Sequence, residues 1–175
     1  MAKDLFLFFA FIFSIGLLIT ALVSIFLKVP YVPTRRKFVE KLITAAKLTK
    51  GQKVYDLGCG DGRILFAAEK ITGCAGEGYE MAPMVYLLAI IKKILGRKKS
   101  KICCKNFFKA DGSSADVIFC YLTPEILKKI AEKLMRECKK GTKIITHTFA
   151  IKSFTPQNII TDKKNGCPII YIYKI

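Results

Sequence analysis

The residues best suited to chemistry lie in one short segment that joins a strand-like run to a helix-like run. Lys53–Leu57 has the apolar character of a short buried strand and delivers Asp56 to its carboxyl end. Three glycines, Gly58, Gly60 and Gly62, follow at alternate positions. Glycine allows the backbone to turn sharply there and to approach a ligand closely before a helix begins. The segment is therefore a candidate ligand loop at the carboxyl edge of a sheet.

A second carboxylate, that of Glu80, ends the next predicted strand, Ala75–Glu80. One carboxylate can accept hydrogen bonds from both vicinal hydroxyls of a ribose. NAD would use such an acid in the same way, so Glu80 alone does not separate the cofactors. Together with Asp56 and the glycines it predicts a site for an adenosyl-type cofactor. The structural alternative is a glycine turn that only reverses the chain.

The spacing of the loop separates the cofactor classes. A P-loop requires Gly-Lys-Ser/Thr, which the sequence lacks. The dinucleotide fingerprint G-x-G-x-x-G would place its third glycine at position 63, which is Arg63. The pattern D-x-G-x-G-x-G of residues 56–62 instead resembles the S-adenosylmethionine loop of class I methyltransferases. The resemblance implies S-adenosyl-L-methionine as cofactor, with the first acid and the glycines around its methionine moiety and the second acid on its ribose.

Helical and strand-like segments alternate along the rest of the chain, which predicts an α/β fold. The predicted helices are Arg35–Leu48, Arg63–Ile71, Pro83–Leu95 and Pro124–Lys139. The further predicted strands are Ile102–Lys105, Asp116–Tyr121, Lys143–Phe149, Ile159–Thr161 and Ile169–Tyr173. Thr34 is predicted to cap the first helix, and Asp162–Gly166 to form a hairpin turn. We expect a Rossmann-like class I methyltransferase sheet, mostly parallel and covered on both faces, with an antiparallel C-terminal hairpin.

An uncharged run of 23 residues, Leu5–Leu27, precedes these elements. As a helix it would be about 34 Å long, enough to cross a hydrocarbon core about 30 Å thick. A signal peptide has a shorter apolar region and a small-residue cleavage site, and a buried core helix would show a polar stripe. We therefore predict a retained transmembrane anchor over residues 1–28 and a methyltransferase domain over residues 29–175.

Positive charge is concentrated on the domain side of the predicted anchor. Lys3 and the α-amino group precede it, whereas the twenty residues after it include Lys28, Arg35, Arg36, Lys37, Lys41 and Lys47. The positive-inside rule then predicts a single-pass membrane protein with its catalytic domain in the cytoplasm. The 7 cysteines form no C-x-x-C pair and there is 1 histidine, so we expect no metal site and a reducing compartment.

The formal net charge of +17 favours anionic partners. The basic segments Arg35–Lys37 and Arg97–Lys101 could face anionic lipid beside the anchor, which is worth about 1 kcal/mol per basic residue near the surface. They could instead contact the phosphates of a nucleic acid, but an anchored chain favours lipid. The apolar helical segment Met84–Ile91 is predicted to be buried in the fold. Contact with the bilayer is the alternative.

Four segments resemble one membrane-associated family of class I methyltransferases. They are Pro30–Thr34 (PYVPT), Asp56–Ile64 (DLGCGDGRI), Gly78–Pro83 (GYEMAP) and Val117–Phe119 (VIF). The family comprises the protein-lysine N-methyltransferases that modify the ATP synthase c-subunit and the adenine nucleotide translocase, and the similarity covers most of the domain. It implies transfer of a methyl group to a lysine amine of a protein in or near the membrane.

Two departures from the family pattern concern the predicted site. Cys59 replaces the usual serine, and Asn106 stands where the family has an acid suited to the adenine amino group. We expect the side-chain carbonyl of Asn106 to accept that hydrogen bond. The candidates for the acceptor mouth are Tyr31, Thr34, Tyr121 and Thr123. Two of them have ordinary alternatives, since Tyr31 would suit a membrane interface and Tyr121 would suit packing within the sheet.

A lysine ammonium has no lone pair and must lose a proton before it can attack a methyl group. A desolvated or cation-rich pocket lowers its pKa, so the alignment of nitrogen, methyl and sulfur matters more than a strong general base. Two other functions stay open from the sequence. One is methylation of a lipid, a small molecule or RNA, and the other is a module that binds S-adenosylmethionine without turnover.

Overall fold

The computed structural model describes residues 1–162 and 166–175, with Leu27 described by its backbone alone. The helices are α1 (Ala2–Leu27), α2 (Arg36–Ala46), α3 (Arg63–Thr72), α4 (Pro83–Leu95) and α5 (Pro124–Glu137). The strands are β1 (Val54–Leu57), β2 (Gly76–Tyr79), β3 (Lys101–Cys103), β4 (Val117–Cys120), β5 (Lys143–His147), β6 (Asn158–Ile160) and β7 (Ile170–Lys174). The bounds lie within a few residues of those predicted, and those of α4 agree at both ends.

The strands form one sheet in the order β3-β2-β1-β4-β5-β7-β6. The first five strands in this order are parallel to one another, and β7 is antiparallel to both β5 and β6. This confirms the predicted mostly parallel sheet with an antiparallel C-terminal pair. The turn predicted at Asp162–Gly166 lies partly outside the described residues. The strand order reverses between β1 and β4, and such a reversal opens a crevice at the carboxyl ends of the strands.

Helices cover both faces of the sheet, which explains its uninterrupted apolar strands. All four residues of β4, Val117–Cys120, are buried. On one face, Leu42 of α2 and Leu65 of α3 join the core, and on the other face Leu127 and Ile130 of α5 do so. A parallel strand buried on both sides has no solvent face and therefore needs no polar alternation.

Two local predictions at the ends of elements are wrong. Thr34 does not cap α2, because the cap position is Arg35 and the Thr34 hydroxyl lies 3.1 Å from Nε2 of His147 instead. Strand β5 ends at His147 rather than at Phe149, because Thr148 adopts a left-handed backbone with φ of 71°. A strand cannot continue through that conformation.

Helix α4 is less buried than the sequence predicted. Only Val85 and Ala89 are fully buried, whereas Leu87, Leu88 and Ile91 are exposed. The prediction of burial is therefore wrong for one face of the helix.

Helix α1 lies against the domain at its C-terminal half. Residues Ala2–Phe26 are long and apolar enough to cross a membrane by length and composition. The backbone N–H of Met84 donates to the Thr20 hydroxyl at 3.0 Å, and Gly16 lies so close to Met84 that a Cβ there would be 2.8 Å from its Sδ. Lys28 ends the helix in a left-handed conformation and pairs with Glu125 of α5 at 3.0 Å. The contacts with Met84 and the Lys28–Glu125 ion pair together hold α1 beside the carboxyl edge of the sheet.

Candidate functional site

The loop after β1 has the sharp turns that its glycines predict. The φ angles of Gly58, Gly60 and Gly62 are 77°, 57° and 78°, in the region that side chains with a Cβ rarely adopt. The backbone N–H groups of Gly58 and Cys59 both donate to the carbonyl of Tyr79, each at 3.0 Å. These bonds hold the start of the loop against the end of β2.

Each glycine also has a close neighbour. A Cβ on Gly60 would lie 3.0 Å from the ring of Tyr31, and one on Gly62 would lie 2.6 Å from the ring of Phe66. The Tyr31 ring therefore covers the middle of the loop. Gly62 packs against α3 and does not line the crevice described below.

Glu80 connects the end of β2 to the glycine loop. One carboxylate oxygen accepts from the N–H of Gly60 at 3.0 Å and the other accepts from the N–H of Ala82 at 2.8 Å. Burial raises the pKa of Glu80, although these backbone N–H groups oppose the rise. A carboxylate has about four acceptor positions, so two remain for the hydroxyls of a ligand.

Asp56 is a buried carboxyl with an unused oxygen. It is 2% exposed, and among the described residues its Oδ2 has no hydrogen-bond partner. Burial raises its pKa to about 8, and the charges of Glu80 and Asp61 add to the effect. Leaving a buried polar atom unpaired costs about 1–3 kcal/mol. This atom is therefore where a hydrogen-bond donor of a cofactor would be stabilised most.

The crevice between the loop and the segment after α1 has a volume of about 50 Å³. It brings together seven of the ten predicted site residues: Tyr31, Thr34, Asp56, Gly58, Gly60, Glu80 and Tyr121. Ser24 of α1 also lines it, so the crevice is closed partly by the end of that helix.

Asn106 lines a second cavity, of about 20 Å³, which shares Ser24, Gly58 and Glu80 with the crevice. Its Oδ1 accepts from the N–H of Phe108 at 2.9 Å and begins a short 3₁₀ turn, Phe107–Lys109. The oxygen predicted to face adenine is thus already used locally, and the adenine contact stays a prediction. Thr123 lines neither cavity, because its hydroxyl donates to the carbonyl of Lys28 at 3.3 Å.

A wider cleft of about 560 Å³ adjoins the crevice and shares Thr34 and Tyr121 with it. His147 lines the cleft beside these two residues. Its ring stacks on Tyr121 at 3.9 Å between centroids, and its Nε2 and Nδ1 lie 3.1 and 3.2 Å from the hydroxyls of Thr34 and Thr148. Burial lowers the pKa of His147 to about 4, so the ring is neutral near pH 7.

The sequence reasoning missed His147 as a member of the site. The strand register contains the signal, because Cys120 of β4 pairs with Thr146 of β5. The next residues, Tyr121 and His147, must then be neighbours at the same edge of the sheet.

An ion cluster around Asp61 joins the loop to the proline segment (Pro30–Thr34). Asp61 is buried, and Arg63 donates to its two oxygens at 2.7 and 2.6 Å while Lys92 forms an ion pair with it. Burial opposes ionisation of Asp61, but the bonds from Arg63 and Lys92 outweigh it and lower its pKa to about 2. Arg63 also donates to the carbonyl of Thr34 at 2.6 Å and so binds the two segments together.

A doubly covered sheet of this order, with a glycine loop and a strand-end acid at its point of reversal, defines a class I S-adenosylmethionine-dependent methyltransferase. A solved RNA methyltransferase from Salinibacter ruber in complex with S-adenosyl-L-homocysteine agrees, with a TM-score of 0.76, 29% identity and coverage of 82% of this chain and 94% of that one. The chain belongs to the family described as the ANTKMT methyltransferase domain, which matches residues 56–158. The family resemblance, the fold class and the cofactor predicted from the sequence are thereby confirmed.

Two curated relatives extend the match over most of the chain. A protein-lysine N-methyltransferase of Saccharolobus islandicus is 34% identical over 151 residues, which cover 84% of this chain and 94% of that protein. The adenine nucleotide translocase lysine N-methyltransferase of Mus musculus is 27% identical over 151 residues, covering 85% of this chain and 64% of that protein.

Proposed function

We propose that this enzyme transfers a methyl group from S-adenosylmethionine to the side-chain amine of a lysine, in a protein that lies in or near a membrane. The observation that carries the proposal is the 34% identity to a protein-lysine N-methyltransferase along 94% of that relative's length. We further propose that residues 1–28 anchor the chain as a single transmembrane helix, with residues 29–175 as the catalytic domain on the cytoplasmic side. The candidate span Ala2–Phe26 and the basic residues after it support this arrangement.

The polar groups of the crevice fit the cofactor. When bound, S-adenosylmethionine supplies a methyl group on a positively charged sulfonium. Asp56 offers a buried unpaired oxygen to the methionine moiety, and Glu80 keeps two acceptor positions for the ribose hydroxyls. A positively charged neighbour lowers the pKa of a carboxyl, so a bound cofactor would favour the ionised form of Asp56.

The crevice is narrower than the cofactor requires. Pockets for ligands of this size hold about 300–1,000 Å³, whereas the two cavities hold about 50 and 20 Å³. Tyr31, which covers Gly60, is 39% exposed and belongs to the proline segment. We infer that this segment moves outward when the cofactor enters.

The wider cleft supports deprotonation of an amine acceptor. Arg35 contributes a positive charge, His147 is neutral, and no Asp or Glu is found among the described residues that line the cleft. A lysine in the cleft meets this cationic neighbour, which lowers its pKa and favours the neutral amine, whereas the carboxylates of Asp56, Asp61 and Glu80 line the crevice where the cofactor would bind. Thr34 and Tyr121, at the join of cleft and crevice, would then position the nitrogen for in-line attack.

Methylation of RNA is the second candidate. The similarity to the Salinibacter ruber enzyme, which is named an RNA methyltransferase, and the net charge of +17 favour it. Both candidates use the same crevice and differ in what enters the cleft.

Labelling separates the two candidates. The full chain is incubated with native membranes and S-adenosylmethionine carrying a labelled methyl group, and protein, lipid and RNA are then separated. We expect label in protein, recovered as methyl-lysine on mass spectrometry. Label confined to RNA or to lipid would contradict the proposal. Asp56→Ala should abolish labelling, whereas Asp111→Asn, at an exposed carboxylate away from the crevice, should leave it unchanged.

A further inference from the structure

Helix α4 carries an apolar stripe on one face. The residues of this α4 stripe are Met84, Leu87, Leu88, Ile91, Ile94 and Leu95. Spacings of three and four residues place them on a single side of the helix. Ile94 and Leu95 are 68% and 80% exposed, and the stripe is therefore a continuous apolar surface rather than a set of scattered side chains.

The stripe begins where α4 meets α1. Met84 is its first member, and it contacts α1 through the Thr20 hydroxyl and the close approach of Gly16. The apolar side chains of α1 are themselves exposed along most of its length. The α4 stripe therefore adjoins the exposed apolar surface of α1 at Met84, and a bilayer around α1 would also reach the start of α4.

The position of Thr20 along α1 determines how deep the start of α4 would lie in a bilayer. Thr20 precedes the end of α1 at Leu27 by seven residues, or about 10 Å along the helix axis. With α1 spanning a bilayer and ending at its surface, the start of α4 lies about 10 Å below that end. Interfacial amphipathic helices insert to about 5–10 Å. The Met84 side chain also reaches Gly16, eleven residues or about 16 Å before Leu27, so the contact places the first turn of α4 at or just below the depth of an interfacial helix.

The charge around the stripe suits an anionic surface. Residues 81–101 include six basic residues and no Asp or Glu: Lys92, Lys93, Arg97, Lys98, Lys99 and Lys101. Lys92 pairs with Asp61, and Lys101, the first residue of β3, pairs with Glu77. The other four, Lys93, Arg97, Lys98 and Lys99, lie at the C-terminal end of α4 and in the loop after it. An apolar face with a basic border is the composition of a helix that lies in the headgroup region of an anionic bilayer.

We propose that the α4 stripe is embedded in the interface of an anionic bilayer beside α1. The proposal rests on the membrane anchoring proposed above and adds a second point of contact to it. Because Ser24 of α1 and Ala82 before α4 both line the crevice, the site would open at the lipid surface. An acceptor lysine would have to be presented there.

The absence of tryptophan from the sequence allows a direct test, since one introduced tryptophan is a unique fluorophore. Three variants of the full chain are reconstituted into phosphatidylcholine–phosphatidylglycerol vesicles with or without brominated acyl chains. Ile94→Trp reports on the stripe and Phe13→Trp on the anchor. Met135→Trp, on the exposed face of α5, is the matched control. We expect bromine to quench the first two at least twofold and to leave the third unchanged.

Each other pattern identifies which proposal fails. If Phe13→Trp were quenched and Ile94→Trp were not, the proposal for the α4 stripe would be wrong and the proposed anchor would stand. Quenching of Ile94→Trp alone would keep the stripe and overturn the anchor, and quenching of neither would overturn both. Replacement of phosphatidylglycerol by phosphatidylcholine should reduce the quenching of Ile94→Trp and not that of Phe13→Trp. If Ile94→Glu abolished a concentration-dependent dimer in detergent, and Ile94→Trp were unquenched, a second copy would be the partner and the bilayer proposal would be wrong.

Discussion

Glu80 and Gly60 are joined by a hydrogen bond of 3.0 Å in which the glycine N–H donates to the carboxylate. The bond connects the acid at the end of β2 to the middle of the glycine loop after β1. A single carboxylate therefore shapes the loop and also presents acceptor positions to the crevice.

Replacement of Glu80 tests this double role. Glu80→Gln keeps the size of the side chain but removes the charge and half of its acceptor capacity. Loss of a charge-assisted hydrogen bond costs about 1.5–3 kcal/mol, so the Kd for S-adenosylmethionine should rise about 10- to 150-fold. Titration calorimetry measures it. Glu132→Gln, an exposed carboxylate of α5, should bind as the parent does. Equal affinities for the two variants would contradict the role of Glu80.

Gly60 should be required for more than its backbone conformation. Gly60→Ala strains a φ of 57° and places a Cβ 3.0 Å from Tyr31. Gly141→Ala is the matched control, because it strains a φ of 94° with no atom within 4 Å of the added carbon. We expect both variants to lose about 1–2 kcal/mol of unfolding free energy, measured by urea denaturation. Only Gly60→Ala should weaken cofactor binding, by more than about tenfold. Equal binding by both would show that the loop tolerates a side chain.

Asp56 predicts a pH dependence of stability in the ligand-free protein. Its pKa is about 8 in the folded state against an ordinary value of 3.8. Between these values the folded protein holds the extra proton, so its unfolding free energy falls as the pH rises. Asp56→Asn removes this titration and should be the more stable protein above about pH 8, with a weaker affinity for S-adenosylmethionine. Thermal unfolding across that range measures the effect. Parallel pH profiles for variant and parent would count against it.

The titration of His147 predicts that the unfolding free energy rises with pH in the acidic range, opposite to the effect of Asp56. Its pKa is about 4 when folded against 6.5 ordinarily, so the unfolded chain takes up the proton first as the pH falls. Stability is then complete above about pH 6.5 and declines toward pH 4. His147→Gln cannot titrate and should lose less stability over that interval. Urea denaturation at the two ends measures the difference, and an unchanged slope in the variant would exclude His147 as its source.

The sequence was sufficient where local patterns determine the structure. The alternation of strands and helices predicted the sheet, and its parallel order brought Asp56, Gly58 and Glu80 to one edge. Sequence spacing alone could not place His147, which needs the β4–β5 register, or the pairing of Asp61 with Lys92, which are far apart in the chain. Both depend on how distant elements pack.

The errors have a related cause. Thr34 has the chemistry of a helix cap, but the fold supplies His147 as a competing partner that no local pattern contains. The apolar composition of α4 led to the prediction of burial. Composition shows that a helix is hydrophobic, but it does not show whether the helix packs against the core or against another apolar surface. The structure shows that α4 meets α1 at Met84 and that its Leu87, Leu88 and Ile91 side chains stay exposed.

Eight residues, 28–35, separate α1 from α2, and the first of them is held to Glu125. If α1 spans a bilayer as proposed, this short connection leaves the domain little freedom to move away from the membrane surface or to tilt over it. The crevice would then stay at a constant height relative to the bilayer. Only proteins whose lysines reach that height would be methylated as they diffuse laterally in the membrane. A longer connection between α1 and α2 would relax this selection by height without changing the crevice or the wider cleft.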